Sequence, residues 1–147
     1  MKKKVMLDGK VNLTRTAGKF NILINDNKEV FHKYFGTHLF PGSLNIKVEH
    51  PPDLQDNLDK GDPPPAFVIP KNELAGMPNY IGDGQTWPCQ LNCGKFQKPI
   101  DCWVFRRIGS KVPKGIIEIV SALELVKPYG LCDGDDMLIK LNYDHDE

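Results

Sequence analysis

The chain has no excess of charge of either sign: its 19 Lys and Arg balance 19 Asp and Glu. A balanced chain carries no global footprint for nucleic acid or an anionic membrane, and only a local patch could serve either. Long hydrophobic runs are missing as well. The most apolar later stretch, Ile116 to Val126, is broken by Glu118 and Glu124, so no segment is long enough to span a bilayer. Met1-Lys2-Lys3-Lys4 looks like the basic start of a secretion signal, but the apolar run after it stops at Asp8 and is too short. The expectation is a soluble, cytoplasmic protein without a membrane partner. Paired CxxC knuckles are also absent. Cys89 and Cys93 are separated by three residues, and Cys102 and Cys132 follow at irregular distances, which is not structural-zinc spacing. Reduced thiols are therefore expected in a chain with no secretion signal, with a zinc site or a disulfide as alternatives. No internal repeat recurs at a fixed period. With 147 residues, 1–147 is expected to form one domain with one core.

What is present is a series of short alternating segments punctuated by Gly and Pro. Val5 to Val11 reads as a first strand with a kink or bulge at Gly9. Leu13 to Lys19 reads as a polar loop, and Phe20, Ile22 and Ile24 alternate as a second strand. Asn25-Asp26-Asn27 supplies cap chemistry for a helix over Lys28 to Phe35, which Gly36 ends. Prolines at 51, 52, 63, 64 and 65 exclude regular structure from much of 50–84, leaving an ordered excursion with an isolated short strand at Phe67-Val68-Ile69 and a helical turn within Lys71 to Tyr80. Trp87 to Asn92, Ile100 to Arg107, Ile116 to Val120 and Met137 to Leu141 read as further strands. Cys89, Leu91 and Cys93 share one face of the first of these. Ser121 to Val126 is expected to start a helix that Pro128 cuts short, and the tail from Asn142 to fray. Many short strands with one or two short helices predict a mainly β fold, a small closed barrel.

Leu39-Phe40-Pro41-Gly42-Ser43-Leu44-Asn45-Ile46-Lys47-Val48 carries the most chemistry. Pro-Gly fits the centre of a type II turn, and the alternation after it places Ser43 and Asn45 on one face of a strand. Two neutral oxygen ligands suit a Mg2+ ion that keeps most of its water and takes its other ligands from nucleotide phosphates. The alternative is a hairpin with a polar, solvent-accessible face. Glu118 stands alone in Ile116-Ile117-Glu118-Ile119-Val120, so its carboxylate must find a partner, a cavity or solvent.

Several segments match one family in order. They are Asp8-Gly9-Lys10-Val11, Gly18-Lys19-Phe20, Lys28-Glu29-Val30-Phe31, the Phe40 to Val48 run, Ile100-Asp101, Ile116 to Val120, and Leu131-Cys132-Asp133-Gly134-Asp135. In these the chain resembles the archaeal-type, CTP-dependent riboflavin kinases, over about two thirds of its length. The resemblance implies a six-stranded-type cradle-loop barrel that transfers the terminal phosphoryl of CTP to riboflavin, giving FMN and CDP. It places Ser43 and Asn45 on magnesium ligands, and Glu118 and Ser110 on substrate contacts. Beyond the resemblance, Glu118 is expected to serve as the base, and Arg15, Lys19, the Gly18 amide and Lys127, which only approximates the family's basic residues, to grip the nucleotide. This chain departs from the family in its loop Thr14-Arg15-Thr16-Ala17-Gly18-Lys19, which keeps only the last of three alternating glycines. It departs again after the Glu118 strand, where Leu123-Glu124-Leu125-Val126 stands in place of basic residues. A non-catalytic module binding flavin or nucleotide on the same barrel is the competing expectation. A DNA-binding relative would need a basic surface and normally a dimer, whereas a monomer is expected here.

Overall fold

A computed structural model describes residues 2–13, 18–48, 58, 60, 64–76, 82–109 and 115–144. Seven strands form one sheet: β1 (Lys2–Val11), β2 (Leu44–Val48), β3 (Phe67–Ile69), β4 (Gly84–Asn92), β5 (Ile100–Arg107), β6 (Ile116–Val120) and β7 (Asp136–Asp144). Their order is β3-β4-β5-β6-β2-β1-β7, and a further pairing of β4 with β7 closes six of them into an antiparallel barrel. Closure removes the open edges that make an isolated sheet prone to pair with other chains. Strand β3 hangs on the outside of this ring. It pairs with β4 at Gly84, Gln85 and Thr86, while β7 takes the same strand from Cys89 onward. Pro88 sits at the changeover between these partners, where a residue without an N–H does least harm to the ladders.

Alternation along each strand divides the apolar residues between two cores. Leu7 and Val11 of β1, Leu44, Ile46 and Val48 of β2, Trp87, Cys89 and Leu91 of β4, Cys102 and Val104 of β5, and Ile117 and Ile119 of β6 fill the barrel. Phe105 and Val120 turn outward into a second cluster beneath two short helices, α1 (Gly18–Asp26) and α2 (Lys28–Phe35), with Trp103 packed against it. Phe31 meets Phe105 edge-on at 5.8 Å between ring centroids, and Phe35 meets Trp103 at 5.1 Å, in the edge-to-face arrangement aromatic quadrupoles favour. Asn27, between the helices, is buried. Its carboxamide donates to the Leu23 and Ala75 carbonyls and accepts from the Ala75 N–H, fastening the helix pair to the 70–76 segment.

Several expectations hold and others are corrected. The ends of α2 and β2 lie where the sequence put them, and Gly36 closes α2 in the left-handed region at φ 73°. Residues Phe20 to Ile24 are helical rather than a strand. Ile22 is 57% exposed, whereas Leu23, Ile24, Asn27 and Phe31 are buried, a helix-period set that competes with the two-residue alternation. Gly18 and Lys19 consequently belong to the first turn of α1, not to a loop. No helix forms over Ser121 to Val126. The Leu123 N–H donates to Ser121 Oγ at 3.0 Å, a local bond that competes with helical pairing.

Strand β1 is continuous through Gly9, with no bulge: Gly9 pairs with Val48 on one side and Met137 on the other. The three-residue strand at Phe67 is paired, not isolated, and its neighbour Lys71–Glu73 is a single 3-10 turn. The tail keeps its pairing as far as Asp144, opposite Lys2, so it does not fray from Asn142. All four cysteines are free thiols. Burial raises the thiol pKa of Cys89 and pushes that of Cys102 up to about 12. These two behave as core residues rather than nucleophiles.

Candidate functional site on the outer wall of the barrel

The register of β2 against β6 builds the centre of the site. Leu44 lies opposite Ile119, Asn45 opposite Glu118, and Ile46 opposite Ile117. Since Leu44, Ile46, Ile117 and Ile119 all point into the barrel, Asn45 and Glu118 stand side by side on its outer surface. Directly opposed residues bring their Cβ atoms within about 5 Å of each other. Ser43 precedes Asn45 by two residues at the mouth of β2. Asn45 is only 3% exposed. The polar face that the hairpin alternative would leave open to solvent is thus a covered one at Asn45. Ser43 Oγ and Asn45 Oδ1 are both buried with no hydrogen-bond partner among the described residues. An orphaned buried acceptor costs on the order of 1–3 kcal/mol, and two of them on one strand face form a donor set of the kind a hard cation uses. The residues present therefore fit a magnesium ion. No group of three His, Cys, Asp or Glu is placed to hold a metal ion among the described residues.

Two cavities lie along β6. One is lined by Val104, Phe105, Arg106, Ile116, Ile117 and Glu118, with Leu58 from the Pro-rich excursion seated in it. It exists because β5 and β6 pair only at Trp103–Val120 and Val104–Ile119 and then diverge. The other lies at the opposite end of β6, between Phe40 to Leu44 and Ser121 to Val126. Its two walls are joined by the Phe40 N–H donating to the Ser121 carbonyl at 2.8 Å. Ser43 and Glu124 both line it. Lys127 falls just past this wall and is exposed. Arg15 and Ser110, like most of the Thr14 to Lys19 loop, lie outside the described residues.

The sequence reading passed over Gln85 and Arg106. These are cross-strand partners at the end of the barrel where β5 leaves β6, and Gln85 Oε1 is buried with no partner among the described residues. The signal was there: the inward series Gln85, Trp87, Cys89, Leu91 and Cys102, Val104, Arg106 each carry one polar member, at the same end. Remote from both cavities, Lys95 bonds Asp135 at 2.7 Å and the Gly130 carbonyl at 2.7 Å, tying the β4–β5 turn to the loop before β7. Lys95 holds the Asp135 carboxyl below its usual range, helped by the Cys132 N–H.

A closed antiparallel barrel of six strands with two outboard helices and an oxygen-lined site on its outer wall defines the class. The chain is matched over residues 15–141 by the family model CTP-dep_RFKase, described as "Domain of unknown function DUF120". It belongs to the archaeal-type, CTP-dependent riboflavin kinase family. The riboflavin kinase of Saccharolobus solfataricus is 27% identical over 124 residues, 84% of this chain and 66% of that protein. That of Methanospirillum hungatei is 27% identical over 140 residues, 95% of this chain and 58% of that protein. That of Sulfurisphaera tokodaii is 28% identical over 143 residues and is covered over 98% of its length. The chain thus spans under two thirds of the first two relatives and nearly all of the third. No helix among the described residues is long and apolar enough to cross a membrane.

Proposed function

We propose that this chain is a riboflavin kinase that transfers the terminal phosphoryl of CTP to the primary ribityl hydroxyl of riboflavin. The observation that carries this reading is the Asn45–Glu118 register, which sets a carboxylate beside two orphaned oxygen ligands. Ser43 and Asn45 would hold a magnesium ion, which neutralises charge on the donor's β and γ phosphates when bound. Glu118 orients the ribityl hydroxyl and accepts its proton as the oxygen attacks the γ phosphorus. The bond from that phosphorus to the β–γ bridging oxygen breaks, and CDP leaves with its electron pair. Arg15, Lys19, Lys127 and the Gly18 amide are assigned to the phosphate tail, and Ser110 to the flavin. Rate enhancement comes mainly from positioning and electrostatics. The reactants are soluble small molecules, in keeping with a cytoplasmic monomer.

Purified protein incubated with riboflavin, Mg2+ and either CTP or ATP should yield FMN, with CTP the better donor. No FMN with either nucleotide removes the kinase reading. Ser43→Ala should cut turnover at least tenfold, while Ser43→Thr, which keeps the hydroxyl, should retain it. Equal activity of Ser43→Ala and the parent chain would sink the metal assignment. A binding module without catalysis is the second reading, favoured by the helical setting of Gly18 and Lys19 in place of a glycine loop. Thermal stabilisation by riboflavin alone, with CTP–Mg2+ inert, would select it. A ligand at 100 times its Kd contributes about 2.7 kcal/mol.

A further inference from the structure

The ladder between β5 and β6 begins at Trp103–Val120, so Ile100 and Asp101 are held by β4. After β6 the chain turns at Ser121, whose Oγ accepts from the Leu123 N–H. An open cavity of about 760 Å3 lies between these two segments. It shares Ser121 and Leu123 with the cavity that Ser43 lines, and no other residue. Its size falls within the roughly 300–1,000 Å3 of small-molecule sites. Two half-buried aromatic side chains, Trp103 and Tyr129, line it. Each is held by a buried phenyl ring: Phe35 meets Trp103 edge-on at 5.1 Å, and Phe96 meets Tyr129 edge-on at 4.9 Å. Rings fixed in advance lose little freedom when a ligand packs on them. The polar lining complements two ends of one molecule. Lys95 is engaged by Asp135, whereas Lys98 is exposed and has no carboxylate partner among the described residues. Asp101 accepts from Gln90 Nε2 at 3.0 Å and keeps further acceptor capacity.

We propose that this cavity is a second ligand site, taking a flat heteroaromatic ring that carries an N–H edge and a phosphate. The ring packs against Trp103 and Tyr129, Lys98 meets the phosphate, and Asp101 accepts from the ring edge. FMN and the common mononucleotides share this chemistry. The site is separate from the wall of Ser43, Asn45 and Glu118, and it stands whether or not the kinase reading does.

The test is calorimetric titration of the intact chain with FMN, riboflavin and AMP, for the parent chain, Lys98→Glu, Lys98→Arg, Ala122→Trp and Ser43→Ala. Ala122 lines this cavity and not its neighbour, and both Ala122 and Lys98 are exposed, so the changes leave the core alone. A melting curve checks that each variant is folded. FMN or AMP should bind the cavity at least fivefold more weakly in Lys98→Glu, and not at all in Ala122→Trp, whose new ring fills the space. Lys98→Arg and Ser43→Ala should keep that binding. Riboflavin, which lacks the phosphate, should be indifferent to Lys98→Glu. Under the kinase reading FMN also binds beside Glu118, and Ala122→Trp should then remove one of two FMN sites. Binding of FMN without AMP assigns the site to a flavin nucleotide, and binding of AMP assigns it to mononucleotides in general. Isotherms unchanged in Lys98→Glu or in Ala122→Trp overturn the inference, as does a parent chain that binds neither FMN nor AMP.

Discussion

Among the described residues, four side-chain oxygens are buried without a partner: Ser43 Oγ, Asn45 Oδ1, Gln85 Oε1 and Thr86 Oγ1. They are not equivalent. Ser43 and Asn45 lie on the outer wall beside Glu118, where a ligand can satisfy them, and their spacing in the chain was enough to single them out. Their burial was not readable, because it depends on what packs over β2 rather than on β2 itself. Thr86 lies instead between Phe67 and Phe105, opposite both in register and fully buried beneath the helices. No ligand reaches it there, so its hydroxyl is a cost to folding. Thr86→Val keeps the shape and removes the unpaired group, and should be neutral or stabilising by up to about 1 kcal/mol. Urea denaturation measures it. A loss of more than about 1 kcal/mol would mean that the hydroxyl has a partner after all.

At the scale of elements, legibility followed how many local signals agreed. Strands β2 and β6 alternate cleanly, and α2 has a helix-period face with a glycine stop, so sequence and structure coincide there. In α1 the alternation of Phe20, Ile22 and Ile24 and the helical set Leu23, Ile24, Asn27 overlap in the same residues. Packing against Phe105 and Val120, distant in sequence, decides between them. The contact between α2 and the 3-10 turn was likewise invisible, since it joins Tyr34 to Glu73. Their hydrogen bond holds the Glu73 carboxyl below its ordinary value of 4.5, with Lys33 a lesser contributor, and raises the Tyr34 phenol above 10.0. A carboxyl with a depressed folded-state pKa contributes stability that is present above 4.5 and lost as pH falls through the folded value. The phenol's share is present below 10.0 and lost as pH rises through its raised value. Tyr34→Phe should thus lower stability most near neutral pH, and the gap from the parent chain should narrow below 4.5. Denaturant midpoints from pH 3 to pH 8 provide the comparison. A gap that does not change with pH would show that the hydrogen bond is not the cause.

For the whole molecule, the ring of six strands makes the interior and the site interdependent. Strand β1 is the hinge of that ring, paired with β7 over most of its length and with β2 at Gly9, Lys10 and Val11. Gly9 is where β2 comes closest. A Cβ there would lie 2.6 Å from Ile46 Cγ2 and 2.8 Å from the Lys47 carbonyl oxygen. That second contact is with backbone and cannot be relieved by turning a side chain, so the glycine is required by the approach of another strand. Adding one methyl must push β2 away from β1, and β2 carries Ser43 and Asn45 and pairs with Glu118 on its other edge. Gly9→Ala should therefore lower stability by about 3 kcal/mol, the upper range for overpacking, and weaken ligand binding at the outer wall as well. Gly94→Ala is the matched control. It sits in the β4–β5 turn with nothing within 4 Å of the new methyl, and should stay within about 0.5 kcal/mol of the parent chain. Equal melting of the two variants would show that β2 can yield without opening the barrel. Loss of stability in Gly9→Ala with binding untouched would separate the site from the closure of the ring.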